Sequence, residues 1–169
     1  MVDVVKTSVP HDSLLQPSLA DADFYDAYQA PLKDRALSPT EIFLRASRAT
    51  PPWVGMAMAL RNRIVQRLGL KNVGSMRQSG DKPADAYLVG DRLGIFSIFA
   101  QTDNELLLGI DDRHLDVRVS LMKSQEKIQS RYVVSTVVHM HNRLGQIYMA
   151  PVGRIHPFVV RAMMRRAVV

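Results

Sequence analysis

Cysteine is absent from the 169-residue chain, which excludes disulfide bonds and thiolate chemistry. A chain without disulfides suits a reducing compartment, and we expect a cytoplasmic location. Long apolar runs are also absent, since the longest, from Trp53 to Leu60, is far too short to cross a bilayer. The N-terminus lacks the apolar stretch of a secretory signal. The sequence therefore predicts neither secretion nor a membrane span.

The usual catalytic and cofactor motifs are missing as well. No G-x-G-x-x-G follows a predicted strand, and neither a P-loop nor H-E-x-x-H occurs. Ser97, Ser120 and Ser135 lack the G-x-S-x-G context of a nucleophilic serine. We therefore expect no cofactor, and the sequence leans against an enzyme without deciding the question.

Charge is unevenly distributed along the chain, whose formal net charge is +6. Acidic residues outnumber basic ones up to residue 60, and the reverse holds afterwards. The C-terminal segment carries Arg154, Arg161, Arg165 and Arg166 without an acidic residue. This pattern fits either an anionic partner or a solvated helix face, and we favour the helix face. No nucleic-acid motif accompanies the charge, so we expect no nucleic-acid partner.

The stretch 111–142 predicts two long antiparallel strands that organise the chain. In the first strand, Leu115, Val117, Val119 and Leu121 alternate with His114, Asp116, Arg118 and Ser120. The second strand, Tyr132 to Met140, is rich in β-branched residues and is predicted to be covered on both sides, or on one side and part of the other. Further strands are predicted at 23–32, 93–101 and 105–110, with a short one possible at 84–90.

Two consecutive helices are predicted between the first strand and the rest of the sheet. Ser38 caps the first helix, Pro39 occupies its first turn and Glu41 completes a capping box. The second helix runs from about Trp53 to Leu68, with Gly69 as its C-terminal cap. Its predicted buried face consists of Trp53, Met56, Ala57, Leu60, Ile64 and Leu68.

The C-terminal segment predicts two helical pieces, near 143–150 and 156–167, or one kinked helix, because Pro151 and Gly153 interrupt the pattern. The element order gives an α+β fold in which helices cover an antiparallel sheet. We expect one domain over 1–169, with an irregular lead-in at 1–20. One buried core is predicted to contain Trp53, Leu60, Ile64, Val117, Val137 and Val159.

This order resembles the helix-grip fold, the superfamily of START lipid-transfer domains, birch-pollen-type allergens and polyketide cyclases. The segments TPPWVGMAMALRNRIVQRLGL, DRHLDVRVSL and VVHMHNRLGQIYMAPVGRIHPFVVRAMMRR resemble a bacterial family of unknown function within it. The resemblance covers about residues 23–166 and implies an antiparallel sheet wrapped around a C-terminal helix, with a cavity between them. Some members form the C-terminal part of proteins whose N-terminal half resembles a short-chain reductase, a half that this chain lacks.

The histidines are the first candidates for chemistry. His139 and His141 are predicted to share one strand face, with His114 on the neighbouring strand and His156 on the final helix. No third ligand is placed by spacing, so we expect no metal. Asp116 and Arg118, with His139, are the weak catalytic candidates. The alternative for Asp116 and Arg118 is an ion-pair ladder across the sheet, and we favour it.

We expect a small-molecule-binding domain that holds an apolar or amphipathic ligand between the sheet and the C-terminal helix. The alternatives are an interaction module that docks to a reductase-like partner and an enzyme of the cyclase or isomerase type. Methionines can adapt to varied ligands, and a break at 151–153 would let the last helix act as a lid. The predicted ligand-binding residues are Trp53, Met56, Leu60, Val117, Met149, Arg154 and Met163.

Overall fold

The computed structural model describes residues 3–67, 82–125 and 130–167. Seven strands form one antiparallel sheet in the order β1-β2-β7-β6-β5-β4-β3. The strands are β1 (Val5–Lys6), β2 (Phe24–Pro31), β3 (Arg92–Leu93), β4 (Phe96–Gln101), β5 (Glu105–Asp111), β6 (Leu115–Gln125) and β7 (Ser130–Met140). The helices are α1 (Pro39–Arg48), α2 (Pro52–Arg67) and α3 (Arg143–Arg166). The predicted α+β class, with an antiparallel sheet, a helix pair and a C-terminal helix, is confirmed.

Strands β6 and β7 form the centre of the sheet, as the alternating sequence predicted. They pair from Leu115 opposite Met140 to Gln125 opposite Ser130. Strand β2 lies on the other side of β7, with Phe24 opposite Val138. Because side chains alternate along each strand, this register gives the sheet two distinct faces. We call the face of Val117 and Val138 the helix face, and the face of Arg118 and Val137 the N-terminal face.

Residues 7–22 cover the N-terminal face. Val9 and Leu15 pack there against Ala27, Val133 and Val137, and all five are buried. The predicted irregular lead-in at 1–20 is wrong in part, because it contains β1 and a short 3₁₀ helix at Gln16–Leu19. Strand β1 consists of only two paired residues, which is too short to leave a periodic signal. The helix pair therefore follows the second strand rather than the first.

A buried carboxylate fixes this N-terminal cover to the sheet. Glu105 on β5 accepts hydrogen bonds at Oε1 from the hydroxyl groups of Ser13 and Ser120, each at 2.5 Å. Its Oε2 accepts from the backbone N–H of Leu14 at 2.8 Å. A buried charge is tolerated when such donors surround it, so these bonds anchor the lead-in.

Helix α3 crosses the helix face and is attached at both of its ends. At its start, Asn142 accepts from the N–H groups of Leu144 and Gly145, each at 3.1 Å. A Cβ on Gly145 would clash with the backbone carbonyl of His114, so the close approach of helix and strand requires glycine here. At its end, the buried Tyr132 hydroxyl donates to the carbonyl of Met164 at 3.1 Å.

The start of α1 agrees with its prediction. Ser38 accepts from the N–H of Glu41, the Glu41 carboxylate accepts from the N–H of Ser38, and Pro39 is the first helical residue. Both bonds of the capping box satisfy donors that a helix start otherwise leaves free.

The predicted buried face of α2 is wrong. Trp53, Met56 and Leu60 are 42%, 70% and 60% exposed, whereas Val54 is buried and Met58 is half-buried. Residues 53–60 are apolar almost all the way around the helix, so periodicity does not select one side. Contacts with the body of the protein select Val54 and Met58 instead. The predicted Leu68 and Gly69 lie outside the described residues, as does the side chain of Ile64.

For three other elements, the structure differs from the prediction or decides between its alternatives. Segment 93–101 is two strands separated by a turn in which Gly94 adopts a φ of 64°, a value that favours glycine. The possible strand at 84–90 is replaced by a 3₁₀ turn at Ala84–Ala86. The C-terminal segment is one helix that includes Pro151 and Pro157, which agrees with the predicted single helix and excludes two separate pieces.

The predicted core is confirmed only in part. Val137 is fully buried, and it lies on the N-terminal face. Val117 and Val159 are half-buried on the opposite side of the sheet, next to open space. Tyr132 to Met140 is covered from both faces, as predicted, by residues 7–22 and by the helices.

Candidate functional site

Two adjoining cavities separate the helices from the helix face of the sheet. Their volumes are about 160 Å³ and about 200 Å³. Both are bordered by the same six residues: Met58, Ile95, Phe96, Val119, Thr136 and His156. This shared border makes them two lobes of one site, which we call the central cavity.

The lining of the central cavity is mostly apolar. Val117 and Met149 border the first lobe, while Val134, Val160 and Met163 border the second. Polar side chains are few and lie mainly around the first lobe. They are Arg61, Asp112, Thr136, Tyr148 and His156. Apolar walls with a few fixed polar groups are typical of small-molecule sites.

The most specific polar feature is a pair formed by β2 and α3. Asp26 is 5% exposed, and its Oδ2 lies 3.0 Å from Nδ1 of His156. The edge of the Phe24 ring meets the imidazole plane at 86°, with ring centres 5.7 Å apart. The aromatic contact and the carboxylate together fix the orientation of a histidine that borders both lobes.

A second pair, Tyr28 and Arg161, lies further along β2 and α3. The guanidinium of Arg161 lies 5.1 Å from the ring centre of the buried Tyr28. Burial raises the pKa of the Tyr28 hydroxyl, the negative charge of Asp26 raises it further, and Arg161 opposes the shift. Arg161 thus points inward, which removes it from the basic surface predicted for the C-terminal helix.

The first lobe is also bordered by a contact between α2 and α3. Nε of Arg61 donates to the Tyr148 hydroxyl at 2.9 Å, and its guanidinium lies 5.2 Å from the centre of the same ring. This contact brings a cation to the first lobe of the central cavity.

The predicted ligand-binding residues are divided by the structure. Val117, Met149 and Met163 border the central cavity. Trp53 does not, and Met56 and Leu60 border a groove on the outside of α2. Arg154 is exposed on α3 and does not border the cavity.

The predicted catalytic candidates lie on the opposite side of the sheet. His139 faces the N-terminal segment, with Nε2 3.2 Å from the carbonyl of Ala20. Asp116 lies 3.1 Å from His141, and Arg118 forms a 2.6 Å ion pair with Asp111 on β5. These contacts match the favoured alternative of cross-strand ion pairs.

Sequence reasoning missed the pairing of Asp26 with His156. A local signal was present, since Asp26 is the one charged residue in the alternating set Phe24, Asp26, Tyr28 and Ala30. A charge on a predicted buried face indicates a partner. The partner lies 130 positions away on α3, and the spacing of residues along the chain does not reveal such a contact.

The described parts of the chain contain neither a group of residues that could hold a metal ion nor a membrane-spanning helix. No group of three or more histidine, cysteine, aspartate or glutamate residues there could hold a metal ion. No described helix has the length and hydropathy needed to cross a membrane.

Comparison with known proteins identifies a family and gives weak structural likenesses, one of which is to CalU16. No curated protein matches the chain. CalU16 from Micromonospora echinospora is similar in structure, with 15% identity and a TM-score of 0.28, over 99% of this chain and 92% of that chain. Those values are too low to support an argument about function. The helix-grip superfamily and the association with reductase-like proteins therefore stay predictions.

The sequence match is much more extensive. The profile of a family described as "Protein of unknown function (DUF2867)" matches residues 18–163. This span confirms the predicted membership of a family without an assigned function. The chain therefore belongs to the DUF2867 family.

Proposed function

We propose that the protein binds an apolar or amphipathic small molecule in the central cavity. The observation that carries the proposal is an apolar space of about 160 Å³ that adjoins another of about 200 Å³ beneath α3. An apolar cavity of about 150 Å³ is large enough to hold benzene. Each lobe could accept a ring, and both together could accept a larger ligand.

The arrangement of polar groups supports an amphipathic ligand. Arg61 and Tyr148 border the first lobe, whereas the second lobe is lined almost entirely by apolar side chains. A ligand could place its apolar body in the second lobe and its polar end in the first. Binding would remove apolar surface from water at about 25 cal/mol per Å².

The same cavity offers a specific observation in favour of the enzyme alternative. The imidazole of His156 and the carboxylate of Asp26 form the contact that general bases use for orientation. This pair replaces His139, Asp116 and Arg118 as the catalytic candidate. Docking to a reductase-like partner stays a prediction, without a contact that favours it.

The test compares binding before and after the cavity is filled. Val119 borders both lobes, so Val119→Phe should occupy the space and abolish binding. The matched control is Val89→Phe, because Val89 is exposed and does not border either lobe. Native mass spectrometry for co-purified ligands and the fluorescence of the bound amphipathic dye ANS measure the outcome. Equal dye binding by wild type and Val119→Phe would refute the proposal.

A further inference from the structure

The contact between Asp26 and His156 determines which imidazole nitrogen carries the proton. An ionised carboxylate only accepts hydrogen bonds, so Nδ1 must donate to Oδ2 across the 3.0 Å contact. In the neutral ring, the proton on Nδ1 leaves Nε2 as an acceptor. The structure therefore places one defined acceptor on a histidine that borders both lobes.

Neither group of this pair is fully satisfied by the protein. Among the described residues, no group hydrogen-bonds Nε2 of His156, whose contact is made through Nδ1. The Oδ1 atom of Asp26 is buried and has no partner within the described part of the chain. Oδ1 of Asp26 is a buried atom, and such atoms are nearly always paired. The His156 side chain is 22% exposed and borders both lobes, so its Nε2 is open to water or to a ligand.

We propose that the central cavity selects apolar molecules bearing a hydroxyl group, which donates its hydrogen bond to Nε2 of His156. This inference rests on the proposed function and names the ligand class. Asp26 acts as a positioning residue, since it fixes the tautomer and reaches the ligand only through the imidazole. A ligand lacking a donor leaves Nε2 desolvated and unpaired, which lowers its affinity.

The negative charge of Asp26 beside the imidazole further restricts the class of ligand that can bind there. A carboxylate ligand at Nε2 would place a second negative charge near the buried Asp26. Like charges in a region of low dielectric repel strongly. Arg161 offsets part of this charge, but its guanidinium lies over the ring of the buried Tyr28, whereas Asp26 contacts the imidazole directly. The proposed ligand group at His156 is therefore a neutral alcohol or phenol rather than an acid. An acidic group on a ligand would instead lie near Arg61 in the first lobe.

The first test needs no ligand. Long-range proton–nitrogen NMR of the imidazole rings, at about pH 9 where free histidine is neutral, identifies which nitrogen is protonated. We expect the Nδ1–H form for His156, assigned by the signal that disappears in His156→Gln. In Asp26→Asn, the amide can donate to Nδ1, so the ring should shift toward the Nε2–H form. A wild-type Nε2–H ring would overturn the inference.

The second test compares matched probes by fluorescence titration. Naphthalenemethanol carries a hydroxyl donor, whereas its methyl ether and methylnaphthalene do not. We expect wild type to prefer the alcohol over the ether by about tenfold, the effect of one buried hydrogen bond. The preference should vanish in His156→Phe and shrink in Asp26→Asn. His156→Leu, which also lacks an acceptor, provides a second reading if His156→Phe fails to fold.

The outcomes separate the two proposals. Equal affinity for alcohol and ether in wild type overturns hydroxyl selection and leaves the cavity proposal intact. An unchanged preference for the alcohol in the folded His156 variants also overturns hydroxyl selection and leaves the cavity proposal intact. If none of the three probes binds and Val119→Phe leaves the dye signal unaltered, the cavity proposal fails, and this inference fails with it.

Discussion

The two faces of the sheet each bury a carboxylate, and they treat it differently. On the N-terminal face, Glu105 receives three hydrogen bonds, from Ser13, Leu14 and Ser120. On the helix face, Asp26 lies 3.0 Å from His156 and its charge also acts on the nearby Tyr28 hydroxyl, while its Oδ1 has no hydrogen-bond partner among the described residues. The hydrogen-bonding capacity of Glu105 is met within the fold, while that of Asp26 is met only in part. This difference agrees with the proposal that the N-terminal face is structural and that the helix face binds a ligand.

The largest contrast should come from placing a charge on each face. Val137→Asp would bury an unpaired carboxylate on the N-terminal face, at a cost of about 5 kcal/mol or more, which matches the stability of many domains. We expect no soluble folded protein. Val117→Asp borders the half-open cavity, so it should remain folded at a loss of about 2 kcal/mol.

Soluble yield and thermal melting measure this contrast. The sequence alone predicts the same outcome for both variants, because it places Val117 and Val137 in one buried core. Equal behaviour of the two variants would mean that the faces do not differ as described.

Conversion of each carboxylate to its amide should give the next largest difference. Glu105→Gln replaces an acceptor of three hydrogen bonds, and its amide NH₂ would face donors, so we expect a loss of about 3 kcal/mol. Asp26→Asn disturbs one contact and should cost about 1 kcal/mol. Urea unfolding monitored by tryptophan fluorescence provides both values. A larger loss for Asp26→Asn would reverse the assignment of roles.

Enlarging a valine on each face tests whether the space is real. Val133 is buried among well-packed residues, so Val133→Phe should overpack that face and cost about 2 kcal/mol. Val119→Phe enters the central cavity and should change stability by less than about 1 kcal/mol. The melting temperatures of both variants measure whether the two faces differ in packing. Similar losses for both would show that the helix face is as tightly packed as the other.

The smallest effect concerns the attachment of α3 at alkaline pH. Burial raises the pKa of Tyr132 above its ordinary value near 10.0. The unfolded chain releases this proton first, so the stabilisation is complete below about pH 10 and declines as pH rises through the folded-state pKa. Tyr132→Phe should lose about 1 kcal/mol at neutral pH with its hydrogen bond to Met164.

Unfolding free energies measured from about pH 9 to pH 11 test this linkage. The wild-type value should fall with pH, and Tyr132→Phe should fall less steeply. Parallel curves would show that Tyr132 does not contribute to the alkaline loss.

Local patterns predicted the architecture well, because strands and caps are encoded by neighbouring residues. The alternation in β6 and the capping box at Ser38 and Glu41 are examples. The face of α2 was not predictable, since apolar residues surround that helix and tertiary contacts choose among them. Periodicity also failed to find β1, whose two residues are defined only by pairing with β2.

The candidate site was predicted only in outline. A cavity between sheet and C-terminal helix was expected, and Val117, Met149 and Met163 border it. The pair of Asp26 and His156 was missed because it joins residues far apart in the chain. The aspartate was nevertheless visible as a charge among apolar neighbours. Such an exception in an otherwise regular pattern is a useful sign of function.

The buried N-terminal cover has a consequence for where the folding unit begins. The family profile starts at residue 18, yet Leu15 is fully buried and Ser13 binds the buried Glu105. A fragment trimmed to residues 18–163 would uncover Val133 and Val137 and leave Glu105 without two of its donors. The limits of sequence similarity therefore lie inside the folding unit, and any excised version of this domain needs the preceding residues to stay folded.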